Sequence, residues 1–72
     1  MHYKIAIQIS KNNSLVAFRN NLKEVDELIK EWTNPEQGYR RFMKLGVYAN
    51  NYKLIKELEW TENGLERREY EI

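Results

Sequence analysis

The chain has 72 residues, carries 12 Lys or Arg against 11 Asp or Glu for a net charge of +1, and contains no cysteine. This length provides for one small domain over residues 1–72, and the lack of thiols excludes disulfides, thiolate metal sites and a cysteine nucleophile. The balanced charge gives no strong overall attraction for nucleic acid. No apolar run reaches membrane-spanning length and the N-terminus lacks a secretory pattern, so we expect a cytoplasmic protein without membrane contact.

A β-hairpin is predicted at the start of the chain. Residues 3–11 alternate apolar and polar side chains, as a half-buried strand does, with apolar residues at Tyr3, Ile5, Ile7 and Ile9. Asn12-Asn13 suits a two-residue turn, because asparagine tolerates a positive φ. The turn leads into a strand over residues 14–20 and would place Ile9 opposite Val16 and Ile7 opposite Phe18.

Residues 21–32 are predicted to form an amphipathic helix. Asn21 can cap its first turn, and Glu24 stands where a capping-box partner would reach back. The apolar residues recur at steps of three and four and form one stripe, made of Leu22, Val25, Leu28, Ile29 and Trp32. Pro35 ends the helix, since proline disfavours helical geometry at the preceding residue. This helix is the one obvious cover for an apolar sheet face.

The segment that follows allows two interpretations. A second helix over about 35–45 would have Asn34 as its cap and Gly46 as its terminator. A strand from about Arg40 to Tyr48 is favoured, because a two-residue turn at Asn50-Asn51 would bring four complementary pairs into one register. These pairs are Val47 with Leu54, Met43 with Leu58, Lys44 with Glu57, and Arg41 with Trp60.

Two further strands complete the predicted fold, over residues 52–60 and 65–72. Asn63-Gly64 between them is a strong hairpin signal, although a longer loop stays open. A two-residue turn there would pair Glu59 with Arg68, Lys56 with Glu71, and Ile55 with Ile72. The prediction is an α+β fold of the order ββαβββ, an antiparallel sheet with one helix on one face; the alternative is ββααββ.

The sequence shows no constellation of catalytic or metal-binding residues. His2 is the only histidine, and the only serines are Ser10 and Ser14, so a Ser-His-acid triad has no basis. The carboxylates of the predicted helix alternate with lysines, as on a solvated helix face. The three glycines lie far apart and form no phosphate-binding loop. We therefore expect no enzyme, no cofactor and no metal.

The more informative surface is the sheet face away from the predicted helix, because one helix covers only one face. Alternation places there the apolar residues Leu15, Ala17, Phe42, Tyr48, Ile55, Tyr70 and Ile72. Among them stand the basic residues Lys4, Arg19, Lys44, Lys53 and Arg68. Large exposed apolar patches commonly mark interaction sites, whereas the plainer alternative is that the long charged side chains shield them.

The leading hypothesis is a non-enzymatic protein-binding module that docks a protein partner, or a second copy in a homodimer, through this face. Its predicted anchors are Phe42, Tyr48, Ile55 and Tyr70, with Lys53 and Arg68 at the rim. Size and composition fit a phage or mobile-element modulator of a host protein, and an antitoxin-like or structural subunit is a third possibility.

The rival hypothesis is a nucleic-acid-binding domain that uses the same face. Basic side chains would contact phosphates, and these are Arg40, Arg41, Lys44, Lys53 and Arg68. Phe42, Tyr48 and Tyr70 would stack on bases. The acidic residues Glu57 and Glu59, expected beside the basic segment, disfavour this second hypothesis.

Overall fold

The computed structural model describes residues 2–34, 36, 38, 42–50 and 52–70, and within them one helix and five strands follow the order ββαβββ. The elements are β1 Tyr3–Ser10, β2 Asn13–Arg19, α1 Leu22–Thr33, β3 Lys44–Ala49, β4 Lys53–Thr61 and β5 Gly64–Glu69. The strands form one antiparallel sheet with the spatial order β2-β1-β3-β4-β5. The predicted α+β fold is confirmed.

The core lies between α1 and one face of the sheet. Ile5 stands between Ala17 of β2 and Val47 of β3, and Ile7 stands between Leu15 and Leu45. Because side chains alternate along a strand, these residues all point to the same face. The buried apolar residues are Tyr3, Ile5, Ile7, Val25, Leu28, Phe42, Leu45, Val47, Ala49, Ile55 and Leu58.

The helix begins as predicted and packs through its predicted stripe. The side-chain oxygen of Asn21 accepts a hydrogen bond from the backbone N–H of Glu24 at 2.9 Å, and Asn21 Nδ2 donates to Glu24 Oε1 at 2.8 Å. Val25 and Leu28 are buried, with Ile29 and Trp32 packed against the core, whereas Leu22 is exposed. Lys56 Nζ lies 3.7 Å from Asp26 Oδ1 and links β4 to the helix.

The register of the first hairpin differs from the prediction. Val16 lies opposite Ala6 and Phe18 opposite Lys4, rather than opposite Ile9 and Ile7. Asn13 already belongs to β2, and β1 has an irregularity between Gln8 and Ser10 that shifts the pairing. Since the difference is an odd number of residues, every side chain of β2 changes face.

The strand over residues 44–49 confirms the preferred interpretation of that segment, with Arg40 and Arg41 outside the described residues. The alternative prediction of a second helix over about 35–45 is wrong for the last two residues of that range, because Lys44 and Leu45 lie in β3. The predicted register is also wrong. Leu45 pairs with Leu58, Gly46 with Glu57 and Tyr48 with Leu54, because a bulge leaves Ile55 without a partner in β3.

The last hairpin turns one residue earlier than predicted. Thr61 pairs with Gly64, whose φ of 106° suits glycine, and Glu62 and Asn63 form the turn. Glu57 therefore lies opposite Arg68, and Lys56 lies opposite Glu69. The predicted register is wrong, although Glu59 still contacts Arg68 diagonally at 2.5 Å, and Glu71 and Ile72 lie outside the described residues.

Candidate functional site

The face of the sheet away from α1, here called the open face, is built from three rows of residues that cross the strands. The first row contains Phe18, Lys4, Tyr48 and Leu54; the second Val16, Ala6, Gly46, Glu57 and Arg68; and the third Ser14, Gln8, Lys44, Glu59 and Glu66. The apolar residues concentrate toward edge strand β2 and the charged ones toward β4 and β5. This gradient gives the open face two chemically different halves. The apolar part is here called the β2 half, and the charged part, which includes Lys44 of β3, is called the β4–β5 half.

The structure brings only some of the predicted anchors to this face. Phe42 and Ile55 are 2% and 8% exposed and belong to the core, so their predicted exposure is wrong. Phe42 packs edge-on against the Trp60 ring at a centroid distance of 6.3 Å, and the β4 bulge turns Ile55 inward. The register shift also takes Leu15, Ala17 and Arg19 to the helix side.

The remaining predicted contacts are placed apart from one another. Tyr48 and Arg68 lie on the open face in neighbouring rows. Lys53 is exposed at the start of β4, opposite Ala49, and Tyr70 is exposed just beyond β5. The Tyr70 backbone N–H donates to the Ile55 carbonyl at 2.9 Å, which holds the end of the described chain against the β4 bulge.

Two residues of the β2 half were missed in the sequence. Val16 and Phe18 are 51% and 57% exposed and stand on the open face. The signal was the run from Leu15 to Phe18, in which four consecutive apolar or small residues supply both faces of one strand. One pair had to remain outside the core, and only the register decides which pair.

Tyr48 is held in place by its neighbours. Its ring lies over Gly46, where an added Cβ would stand 3.0 Å from Tyr48 Cε1 and 3.1 Å from the hydroxyl oxygen. Lys4, its partner across the strands, places Nζ 5.7 Å from the ring centroid, within the range of a cation–π contact. A side chain at position 46 would therefore crowd the Tyr48 ring.

The β4–β5 half carries a charge cluster of Lys44, Glu57, Glu59, Glu66 and Arg68. Arg68 Nε donates to Glu57 Oε1 at 3.0 Å, and its Nη1 and Nη2 donate to Glu66 and Glu59 at 2.9 and 2.5 Å. Lys44 Nζ lies 3.1 Å from the second oxygen of Glu57. Lys44 and Arg68 therefore both form ion pairs with carboxylates of the same cluster.

Glu57 is 8% exposed and stays ionised inside this cluster. Burial by itself raises the pKa of Glu57, but hydrogen bonds from Lys44 and Arg68 outweigh that effect and lower the pKa below its usual value. The same contacts raise the pKa of Lys44 through its hydrogen bond to Glu57, and that of Arg68 through those to Glu59 and Glu57. A carboxylate with a lowered pKa is poorly suited to general acid chemistry near neutral pH.

A shallow concavity of about 430 Å³ separates the two halves. Ala6 and Gly46, paired on adjacent strands, leave room at its floor, while Val16 stands on one side and Tyr48 and Glu57 on the other. The hairpin loop around Asn12 closes one end. This shape can receive one or two side chains of a docked segment.

Within the described part of the chain, no group of three or more His, Asp or Glu side chains is arranged to hold a metal ion. In the same residues, no helix has the length and apolar character needed to cross a membrane. Comparisons of the chain with protein-family models, with curated proteins and with solved structures gave no match.

Proposed function

We propose that the chain is a non-enzymatic protein-binding domain that docks a partner across the β2 half of the open face. The observation that supports this proposal is a group of apolar side chains, Val16, Phe18 and Tyr48, here called the β2 patch, in which Lys4 stands between Phe18 and Tyr48. Val16 and Phe18 are about half exposed, and fully burying such side chains is worth about 1.5–3 kcal/mol each. A partner that covers the patch would gain much of that free energy.

The surroundings of the patch resemble the organisation of protein interfaces. Val16 and Tyr48 line the concavity, Phe18 stands in the same row as Tyr48, and the charge cluster provides a polar border. Interfaces commonly combine an apolar centre that includes aromatic residues with a polar rim. In this proposal Tyr48 belongs to the patch, Arg68 to the polar border, and Lys53 and Tyr70 to the periphery.

Nucleic acid binding is the second candidate, and the charge cluster disfavours it. Lys44 and Arg68 already contact Glu57, and Arg68 also contacts Glu59 and Glu66. Phosphate would have to compete with these carboxylates for both cations. Fluorescence anisotropy of labelled single- and double-stranded oligonucleotides distinguishes the candidates, because binding that weakens steeply with salt would favour nucleic acid.

Photocrosslinking in the cells that express the chain tests the proposal. A benzophenone amino acid replaces Phe18 in one variant, and in a matched control it replaces Glu27, which is exposed on α1. We expect the probe at position 18 to capture a defined protein that the probe at position 27 does not capture. The same products from both positions, or none from position 18, would contradict docking on this face.

A further inference from the structure

We propose that a second copy of this chain binds the outer edge of β2, where its own β2 pairs antiparallel and joins the two sheets into one. This inference goes beyond the proposed function, because it concerns the outer edge of β2 and leaves the open face uncovered. It follows from the chemistry of the sheet edges and not from the open face alone.

Strand β2 forms one edge of the sheet, and Arg19 Nη1 donates to the Phe18 carbonyl near its end at 2.8 Å. Within the described residues no strand lies on its outer side, so that side presents backbone N–H and C=O groups in the spacing of a strand. From Ser14 to Phe18 the strand carries neither a charge nor a proline. Sheet edges that stay unpaired are usually blocked by charged residues, prolines or bulges, and the interior of β2 has neither of the first two.

The opposite edge, β5, is protected. Four of the six residues of Gly64–Glu69 are charged, and Arg68 is bound to three carboxylates of the charge cluster. Pairing of β2 with β5 of another copy would join the sheets head to tail into an open filament. Because only β2 has an uncharged interior, from Ser14 to Phe18, the favoured contact is β2 with β2, which closes as a dimer.

The sequence of β2 is self-complementary in this arrangement. A two-fold axis between antiparallel neighbours runs perpendicular to the sheet, so each residue meets one from the same face. An axis at Val16 pairs all seven residues of β2, with Arg19 opposite Asn13 of the second copy. No like charges then meet. The two Val16 side chains face each other, and each lies diagonal to Phe18 of the second copy.

Disulfide trapping with single cysteines tests both the dimer and its register, since the chain has no cysteine of its own. Residues directly opposite in antiparallel strands have Cα atoms roughly 4.5–5.5 Å apart, which fits the span of a disulfide. The variant Val16→Cys places its thiols at the axis. In the control Ser14→Cys, which is exposed on the same face of the same strand, the two thiols would lie about 13 Å apart along the strand.

We expect Val16→Cys to form a covalent dimer under mild oxidation roughly tenfold faster than Ser14→Cys, since only the first pair meets disulfide geometry. Sedimentation of the unmodified chain should give twice its 8.8 kDa mass at high concentration. Circular dichroism confirms folding of both variants. Equal rates for the two variants, or a chain that sediments only as a monomer, would overturn the dimer.

The two proposals fail in different ways. A probe at position 18 that captures another protein, together with Val16→Cys that does not crosslink, would refute the second copy and leave docking intact. A probe at position 18 that captures no protein would refute docking itself. Capture of the chain by its own probe, with fast Val16→Cys crosslinking, would support the dimer, because the edge contact alone explains that product.

Discussion

Glu57 and Arg68 lie opposite each other on β4 and β5, and the guanidinium of Arg68 reaches one Glu57 oxygen through both Nε and Nη2 at 3.0 Å. Because Glu57 is almost buried, its charge depends on Arg68 and Lys44 for compensation. This ion pair links edge strand β5 to its neighbour β4. It also makes this half of the open face polar and internally satisfied, which leaves the β2 half as the free apolar surface.

Removing the guanidinium should destabilise the fold. We expect Arg68→Met to lower the urea midpoint of unfolding, since it leaves the Glu57 carboxylate with Lys44 alone. Arg67→Met is the matched control, because Arg67 is the adjacent residue and is exposed on the other face. Urea titrations followed by circular dichroism at pH 7 compare the two. Equal midpoints would show that the cluster contributes nothing to stability.

The stability contributed by Glu57 should depend on acidity. The folded-state pKa of Glu57 lies below the ordinary glutamate value of 4.5, so its contribution is present above that pH and is lost as the pH falls through the folded pKa. We expect the wild-type chain to be more stable than Glu57→Gln at pH 7 and the difference to shrink below pH 4.5. Urea midpoints at pH 7 and at acidic pH measure this, and a constant difference would contradict the lowered pKa.

Gly46 and Tyr48 should show energetic coupling. A methyl group at Gly46 would meet the Tyr48 ring at 3.0 Å and displace it, so Gly46→Ala should lower the free energy of unfolding. In a Tyr48→Ala background the same change meets no ring and is expected to be neutral or stabilising. A double-mutant cycle should therefore give a coupling free energy of about 0.5–2 kcal/mol. Additive effects would mean that the ring does not rest on Gly46.

Phe42 is expected to act in stability and not in docking. Its side chain is buried in the core, so Phe42→Ala should cost about 3–5 kcal/mol of unfolding free energy. The neighbouring Met43→Ala removes an exposed side chain and should cost no more than about 0.5 kcal/mol. Denaturant titrations of both variants test this, and comparable small losses would place Phe42 outside the core.

Phe18 should show the opposite behaviour. Its side chain is more than half exposed, so we expect Phe18→Ser to change the free energy of unfolding by no more than about 1 kcal/mol. Partner binding should nevertheless fall sharply, because the variant removes the most exposed residue of the β2 patch. Stability and binding measured on the same preparation separate the two effects. A variant that loses stability but binds its partner as tightly as the wild-type chain would contradict the assignment of Phe18 to docking.

Local patterns in the sequence were sufficient to predict the elements and their order. The helix has an effective cap at Asn21 and one apolar stripe, and each strand is bounded by asparagine or glycine at a turn. Such signals act within a few residues and need no knowledge of the rest of the fold. The order ββαβββ follows from them directly.

The faces of the strands could not be predicted, because they depend on register. The irregularity between Gln8 and Ser10 and the bulge at Ile55 each shift the pairing, and turn residues give no sign of either. In β2 both alternating sets are apolar, so composition does not reveal which set is buried. The prediction of Ile55 as an anchor failed for this reason, and Val16 and Phe18 were missed. Phe42 precedes β3, so the alternation along that strand does not set the direction of its side chain.

Photocrosslinking from position 18, compared with position 27, tests the central claim most directly. Docking on the β2 patch predicts a defined crosslinked product with another protein from position 18 alone. Crosslinks that are indistinguishable between the exposed helix and the β2 patch would contradict the claim that this face binds a protein.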